Sequence, residues 1–511
     1  MTPNRREFLQ SAALGAAALV GLGCKTDRGI AGGFVDDDGA FGHQIRDRAP
    51  IAPAQRTVRV PIVIVGGGMA GLSAAWQLDR QGVKDFVVLE LNNDAGGNSR
   101  SGENKVSRYP WAAHYVPVPN KSATLVRELF TELGVLRDGV WDERALCFAP
   151  QERLFIRNEW TEGIEGSSGL TAADRAEYKR FADRMTELRA TGEFTIPMAM
   201  GTSSLRQTGS LDTISMDEWM RRERFTTPQL RWYADYGCRD DYGARAINTS
   251  AWAGVHYFAA REAEERGPLT WPDGNGWIAR RLLAKLALYV TTGTAVRRIE
   301  RAGKDWRVRA SSSAGGVDYL ADAVIFAAPS FLAPYVVEGA VDPGFAYSPW
   351  MTANLTLERW PKEKGFAPAW DNVIYDSPAL GYVNATHQTL RTHVERTVWT
   401  YYWALADETP AASRATLLRR SWSEWRDLIL ADLAQAHPDI RECVSRIDIM
   451  RMGHAMVRPS VGFLSAPGRA GAPSAERLFY ANSDLSGLSL FEEAQYRGCT
   501  AADRTIVALR H

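Results

Sequence analysis

The apolar quartet Ile62-Val63-Ile64-Val65 follows the alternating stretch Val58-Arg59-Val60, a pattern that reads as a buried strand with Pro61 at its start. At residue 66 the pattern changes. Glycines at 66, 68 and 71 lead into Leu72-Ser73-Ala74-Ala75-Trp76-Gln77-Leu78, whose apolar positions fall at helical spacing. Phe86 to Leu89 reads as the next strand and ends in Glu90. Further along, a helix is expected from Ile278 to Leu288, a strand from Ala323 to Phe326, a strand starting at Leu478, and a helix from about Phe491 to Leu509. Strands alternating with helices in this way predict an α/β fold with a Rossmann-type core.

The turn between the first strand and helix has its own chemistry. Gly66 allows a sharp turn, Gly68 lets backbone approach a pyrophosphate, and Gly71 lets the helix pack close to the strand. Met69 and Ala70, within this turn, are also expected at the cofactor, and the positive end of the helix that follows suits the anion. Glu90 stands nineteen residues past Gly71, where a ribose-binding carboxylate belongs. Six residues later Gly96-Gly97-Asn98-Ser99-Arg100 forms a second glycine turn that can fold back over the pyrophosphate, with Arg100 offering a charge. A nicotinamide-binding domain does not need that second turn, so FAD is the expected dinucleotide.

Glu90, five residues and Gly96-Gly97 resemble the opening motif of the flavin-containing amine oxidoreductase superfamily, which includes amine oxidases, phytoene desaturases and protoporphyrinogen oxidases. The resemblance implies two returns to the cofactor domain. The first is Asp273-Gly274-Asn275-Gly276-Trp277 with the following helix and Val296, whose backbone would pair with adenine. The second is Leu478 to Gly487, where Asp484 would bind the ribityl chain. The family also implies a lysine near the flavin and a tyrosine before the last helix. Neither is present: the matching stretches read Trp350 to Leu357 and Leu490-Phe491-Glu492-Glu493.

The implied organisation is a signal segment at 1–24, a solvated tether at 25–56, FAD-binding segments at 57–118, 266–335 and 461–511, a helical insertion at 119–265 and a substrate-domain sheet at 336–460. The chain opens Arg5-Arg6-Glu7-Phe8-Leu9 before a mild apolar run, which is a twin-arginine export pattern, and Cys24 ends that run as a lipidation candidate. The expected location is therefore the periplasm, with membrane contact only through the signal segment or a lipid on Cys24. Lys+Arg and Asp+Glu balance at 60 each, which gives no basic face for nucleic acid. Cys147, Cys238, Cys443 and Cys499 are scattered and suggest isolated buried thiols, with no metal site.

For the reacting side of the cofactor the candidates are His114, His256 and His454, any of which could take a proton near neutrality. Asp240-Asp241 is a further acidic candidate, and Arg458 would suit a substrate carboxylate. The function expected is hydride transfer from a small organic substrate, an amine or amino acid first, to flavin N5, with oxygen or a quinone as acceptor. Desaturation of an apolar substrate, or a flavoprotein without net redox chemistry, is the alternative.

Overall fold

The structure of the protein is a computed structural model that describes residues 29–36, 39–166, 168–201, 210–261, 267–391, 393–470 and 476–510. The strand Ile62–Val65 lies at the centre of a five-stranded parallel sheet, between Phe86–Leu89 and Ala323–Phe326. Val290–Thr291 and Leu478–Tyr480 complete its edges. Three stretches far apart in sequence therefore build one sheet. Its two faces take alternate residues of the central strand. Ile62 and Ile64 pack with the helices Met69–Arg80, Gly276–Leu286 and Phe491–Arg510. Val63 and Val65 pack against Trp306, Val308 and Ala310 of a second, four-stranded sheet. Burial on both faces accounts for the unbroken apolar quartet.

The substrate half is an eight-stranded mixed sheet in the order 31–34, 444–457, 347–357, 397–404, 381–384, 371–374, 152–156, 159–162. Its long central strand Tyr347–Leu357 is buried throughout. Met351, Ala353 and Leu355 pack with Trp399 and with Trp425, Ile429 and Leu433 of the helix Trp422–Leu433. Trp350, on the opposite face, packs with Trp370, Val383 and Tyr402. The side chains facing away from the helical layer form the roof of the cavity described below.

Two expectations are corrected here. The segment 25–56 is no tether where it is described: Ala31–Phe34 pairs parallel with the strand Val444–Val457, Gly39–Arg46 is helical, and Ala54–Arg59 edges the four-stranded sheet. The pairing uses Gly32, at φ +135°, whose missing Cβ would sit 1.8 Å from the Ile447 carbonyl oxygen. The glycine that suggested flexibility is what allows the close approach. The segment 119–265 is not purely helical either. It carries Thr124–Glu132, Ala172–Ala190, Met216–Arg222, Pro228–Tyr242 and Ala251–Ala259 as helices, but Glu152–Ile156 and Glu159–Glu162 join the substrate sheet. The twin-arginine pattern and Cys24 lie outside the described residues.

Candidate active site

The glycine cradle forms where the parallel strands end. Gly66, at φ +103°, turns the chain so close to the Ala323–Phe326 strand that an added Cβ would meet the backbone of Ala327 and Ala328 at 3.0 to 3.1 Å. Gly71 is tighter still, with its Cβ position 1.9 Å from the Gly66 carbonyl oxygen. The second glycine turn lies against the first: the Gly96 N–H donates to the Gly67 carbonyl at 2.8 Å. Gly68 differs from its neighbours. A Cβ there would meet only Gly97 Cα, at 3.9 Å, so no protein atom demands that this residue be small. The helix Met69–Arg80 starts at Gly68 without a side-chain cap, leaving the first N–H groups, Met69 and Ala70 among them, for a ligand. Open space beside uncapped helix donors is what a pyrophosphate group requires.

Glu90 braces this cradle. Its two carboxylate oxygens accept the Gly67 N–H at 2.7 Å and the Asn92 N–H at 2.8 Å. Val296 is buried on the strand Thr294–Ala302, next to a bulge, and the Thr294 N–H donates to the Glu90 carbonyl at 2.8 Å. Arg100 turns back on its own loop and donates from Nε to the Gly97 carbonyl at 3.0 Å. Asn98 crosses to the substrate half, where its Nδ2 donates to the Ala455 carbonyl at 2.9 Å. Asp484 is buried in the short turn after Leu478–Tyr480. Its Oδ2 accepts from the Ser330 N–H and the Tyr347 hydroxyl, both at 2.8 Å.

Beyond Asn98 lies a partly enclosed cavity. The loop Ala112–Tyr115 walls one side and is held by Ala113, whose N–H donates to the Asn98 carbonyl and whose carbonyl accepts from the Asn275 N–H. Trp350, Thr352 and Tyr402 of the eight-stranded sheet form the roof. Asp240 and Asp241, at the end of the helix Pro228–Tyr242, face Leu490, Phe491 and Glu492 at the start of the last helix. Trp350 and Thr352 thus occupy the stretch where the family resemblance would place a lysine, and Leu490 to Glu492 the stretch where it would place a tyrosine.

Charge in this cavity is one-sided. Among the described residues that line it there is no lysine or arginine, yet there are three carboxyls. Burial pushes the Glu492 carboxyl up to about 8, and the neighbouring Glu493 and Asp241 add to the effect against the pull of Arg261. Asp240 is pushed up to about 7 by burial and by Asp241. Asp241 is also raised by burial, with Arg261 and the Tyr115 hydroxyl opposing. Arg261 lies just behind, 3.6 Å from the Asp241 carboxylate, and donates to the Tyr115 hydroxyl at 2.9 Å.

The three candidate histidines part company. His114 lines the cavity, stacked on Tyr402 with ring centres 4.5 Å apart, and its Nδ1 lies 3.2 Å from the Ala112 carbonyl. Burial pushes it down to about 4, so it is neutral near pH 7 and weak as a proton acceptor. His256 belongs to the helical core instead, with Nε2 2.9 Å from the Thr195 carbonyl and its ring against Trp252. His454 stacks on Phe331 at 4.4 Å, away from the cavity lining. Arg458 is also elsewhere, donating to Ser348 Oγ at 2.6 Å. Glu492, which sequence reasoning passed over, takes the central place. The signal available was its position in the first turn of the last helix.

The class defined by this geometry is a dinucleotide-binding α/β protein, and residues 64–133 match the NAD(P)-binding Rossmann-like domain family. In sequence the chain is 36% identical to pseudooxynicotine dehydrogenase of a Pseudomonas species over 96 residues, 19% of this chain and 17% of that protein. It is 28% identical over 261 residues to a Mycobacterium tuberculosis protein assigned as a flavin-containing monoamine oxidase, covering 48% of this chain and 52% of that one. The matches thus span about half the length of these relatives or less. Over the whole fold the likeness is broader: wild-type putrescine oxidase bound to putrescine superposes with a TM-score of 0.66 at 18% identity, over 88% of this chain and 100% of that one. The chain therefore has the amine oxidase fold.

Proposed function

We propose that the protein is an FAD-dependent oxidoreductase that removes hydride from an amine. One observation carries this reading: two glycine turns laid edge to edge leave open space at uncapped helix donors, and the same cradle opens onto a cavity lined by buried polar atoms without partners. Those atoms are Asn275 Oδ1, Thr352 Oγ1, Trp350 Nε1, the Tyr402 hydroxyl and both carboxylate oxygens of Glu492. The flavin-containing and amine-oxidising relatives support the reading.

The residues that would hold FAD are Gly66, Gly68, Met69, Ala70 and Gly71 at the pyrophosphate, Glu90 at the ribose, Val296 at the adenine, and Gly96, Gly97, Asn98, Arg100 and Asp484 along the flavin half. Bound flavin supplies the hydride acceptor. The chain's own part is orientation and proton control. Trp350, Tyr402 and His114 exclude water with aromatic surface, and Glu492 and Asp240, which hold protons near neutrality, set the charge of the wall that meets the substrate. Acid groups in the cavity favour this reading over desaturation of an apolar substrate. Oxygen or a quinone would then reoxidise the cofactor. The Arg5-Arg6 pattern supports export to the periplasm by the twin-arginine route, with Cys24 as a possible lipid anchor. No helix among the described residues is long and apolar enough to cross a membrane.

The test is the visible spectrum of the purified protein before and after acid precipitation, then anaerobic addition of alkylamines. A two-band flavin spectrum bleached by an amine is expected. A protein that stays colourless after incubation with FAD overturns the cofactor assignment. A flavin that no amine reduces without oxygen points to the non-redox alternative.

A further inference from the structure

We propose that Asp240, Asp241 and Glu492 form a receiving site for an ammonium group remote from the bond that is oxidised, so that the preferred substrates are diamines rather than monoamines or amino acids. The proposal rests on reading the cavity as the substrate chamber, and it is argued from the charge balance of its wall.

Three carboxyls converge there from two separate helices, and among the described residues one cation behind the wall, Arg261, has to serve all three. It pairs with Asp241 at 3.6 Å, donates to Tyr115, and sits over the Tyr257 ring at 4.3 Å. Asp240 is left with one donor, the Tyr257 hydroxyl at the 3.5 Å limit of a hydrogen bond. Glu492 is 1% exposed, and neither of its carboxylate oxygens has a side-chain partner; the donor nearest to hand is its own backbone N–H. A buried carboxyl in this state keeps its proton near neutrality, because the low-dielectric surroundings neither solvate nor pair a charge, and a cation brought beside it would favour the ionised form.

The start of the last helix offers Glu492 partial compensation from the helix dipole, but that is worth far less than a paired cation. A substrate ammonium entering the cavity would supply three N–H donors and the missing positive charge together. Thr352 Oγ1 and Asn275 Oδ1, both buried, unpartnered and lining the same cavity, can accept further N–H groups. A substrate carboxylate would meet the opposite situation. Among the described residues no cation lines the cavity, and the arginine considered for that role, Arg458, hydrogen-bonds to Ser348 elsewhere. The wall therefore repels amino acids and attracts a second ammonium group.

The test is isothermal titration calorimetry of the purified full chain with three ligands of equal length: 1,5-diaminopentane, pentylamine and 5-aminopentanoate. The diamine is expected to bind at least roughly tenfold tighter than the monoamine, and the amino acid more weakly than either. Asp240→Asn combined with Glu492→Gln should bring the diamine and monoamine within about twofold to threefold of each other. Equal affinity of the wild type for the diamine and the monoamine, or a preference that survives in the double variant, overturns the proposal. The wild-type ligand series decides the matter even where a variant folds poorly. A second readout separates a receiving site from a structural carboxylate: Glu492→Gln should raise the melting temperature of the ligand-free protein, whereas loss of a structural pair would lower it. Titration does not depend on colour, so a colourless protein that still prefers the diamine would sink the flavin reading and leave the receiving site standing.

Discussion

In the glycine cradle the tightest approaches are between backbone atoms of this chain, as where Gly71 meets the Gly66 carbonyl and Gly96 donates to Gly67. In the cavity beside it the contacts are between side chains, and several polar atoms end without a partner. The cradle is satisfied before any ligand arrives, apart from the helix donors reserved for it. The cavity is not, and its unpaired carboxyls lower the stability of the empty protein. One region is preorganised by backbone geometry, the other by charge held ready for a ligand, and the second carries a standing cost in stability.

The largest test of that contrast is Gly71→Ala. Its Cβ would sit 1.9 Å from a backbone oxygen that cannot move without shifting the central strand, so destabilisation beyond the usual range of about 1–3 kcal/mol for overpacking is expected, measured by denaturant unfolding. Normal stability in this variant would mean the cradle is looser than described. Gly68→Ala sharpens the comparison from the other side. The new methyl group meets no protein atom closer than 3.9 Å, so stability should change by no more than about 0.5 kcal/mol, while affinity for FAD, read from flavin fluorescence, falls at least about tenfold. Undiminished affinity would show that Gly68 is not kept open for the cofactor.

The smallest effect is one of pH. Glu492 and Asp240 have carboxyls raised to about 8 and about 7 in the folded protein, from ordinary values of 4.5 and 3.8. The folded state then holds protons that the unfolded chain would release, so their contribution is fully present at low pH and is lost as pH rises toward 8. His114, His256 and His454, pushed down to about 4 by burial, act oppositely, but only below about 6.5. Between about pH 6.5 and 8 the carboxyls therefore dominate, and the melting temperature of ligand-free protein should fall by a few degrees across that window. Glu492→Gln should flatten the fall. A flat wild-type profile would mean the cavity bears no unpaired charge.

The same contrast explains what could be read without a structure. Strand, glycine turn, helix and acid are written within thirty-odd residues, and Ile62 to Glu90 could be assigned because the physics there is local. The three-part sheet was also readable, since each return repeats a short strand beside a recognisable turn. The acidic wall was not. Asp240 and Asp241 look like any surface pair in sequence, and Glu492 was read only for the tyrosine it is not. What makes these groups unusual is burial and the shared Arg261, and the wall closes only when Glu492, more than two hundred positions further on, is folded against Asp240 and Asp241. Ala31-Gly32-Gly33-Phe34 was misread for a related reason: Gly32 signals flexibility in isolation but a tight backbone contact beside Ile447. His256 and His454 lie away from the cavity, and nothing in their neighbouring residues says which face of the helix Ala251–Ala259 or of the strand Val444–Val457 turns toward it.

The last helix, Phe491–Arg510, crosses the glycine-loop helix so closely that Gly498 leaves just 2.1 Å between its Cβ position and the Ala70 carbonyl oxygen. It also brings Glu492 to the cavity, and the strand before it closes the edge of the parallel sheet. In the order of synthesis, then, everything from Leu478 onward arrives after the rest of the described chain has left the ribosome. A nascent chain lacking this segment has no closed sheet edge, no Asp484, no brace behind Ala70 and no Glu492. The glycine cradle and the cavity therefore share one dependence, on a segment of some thirty residues that packs against both.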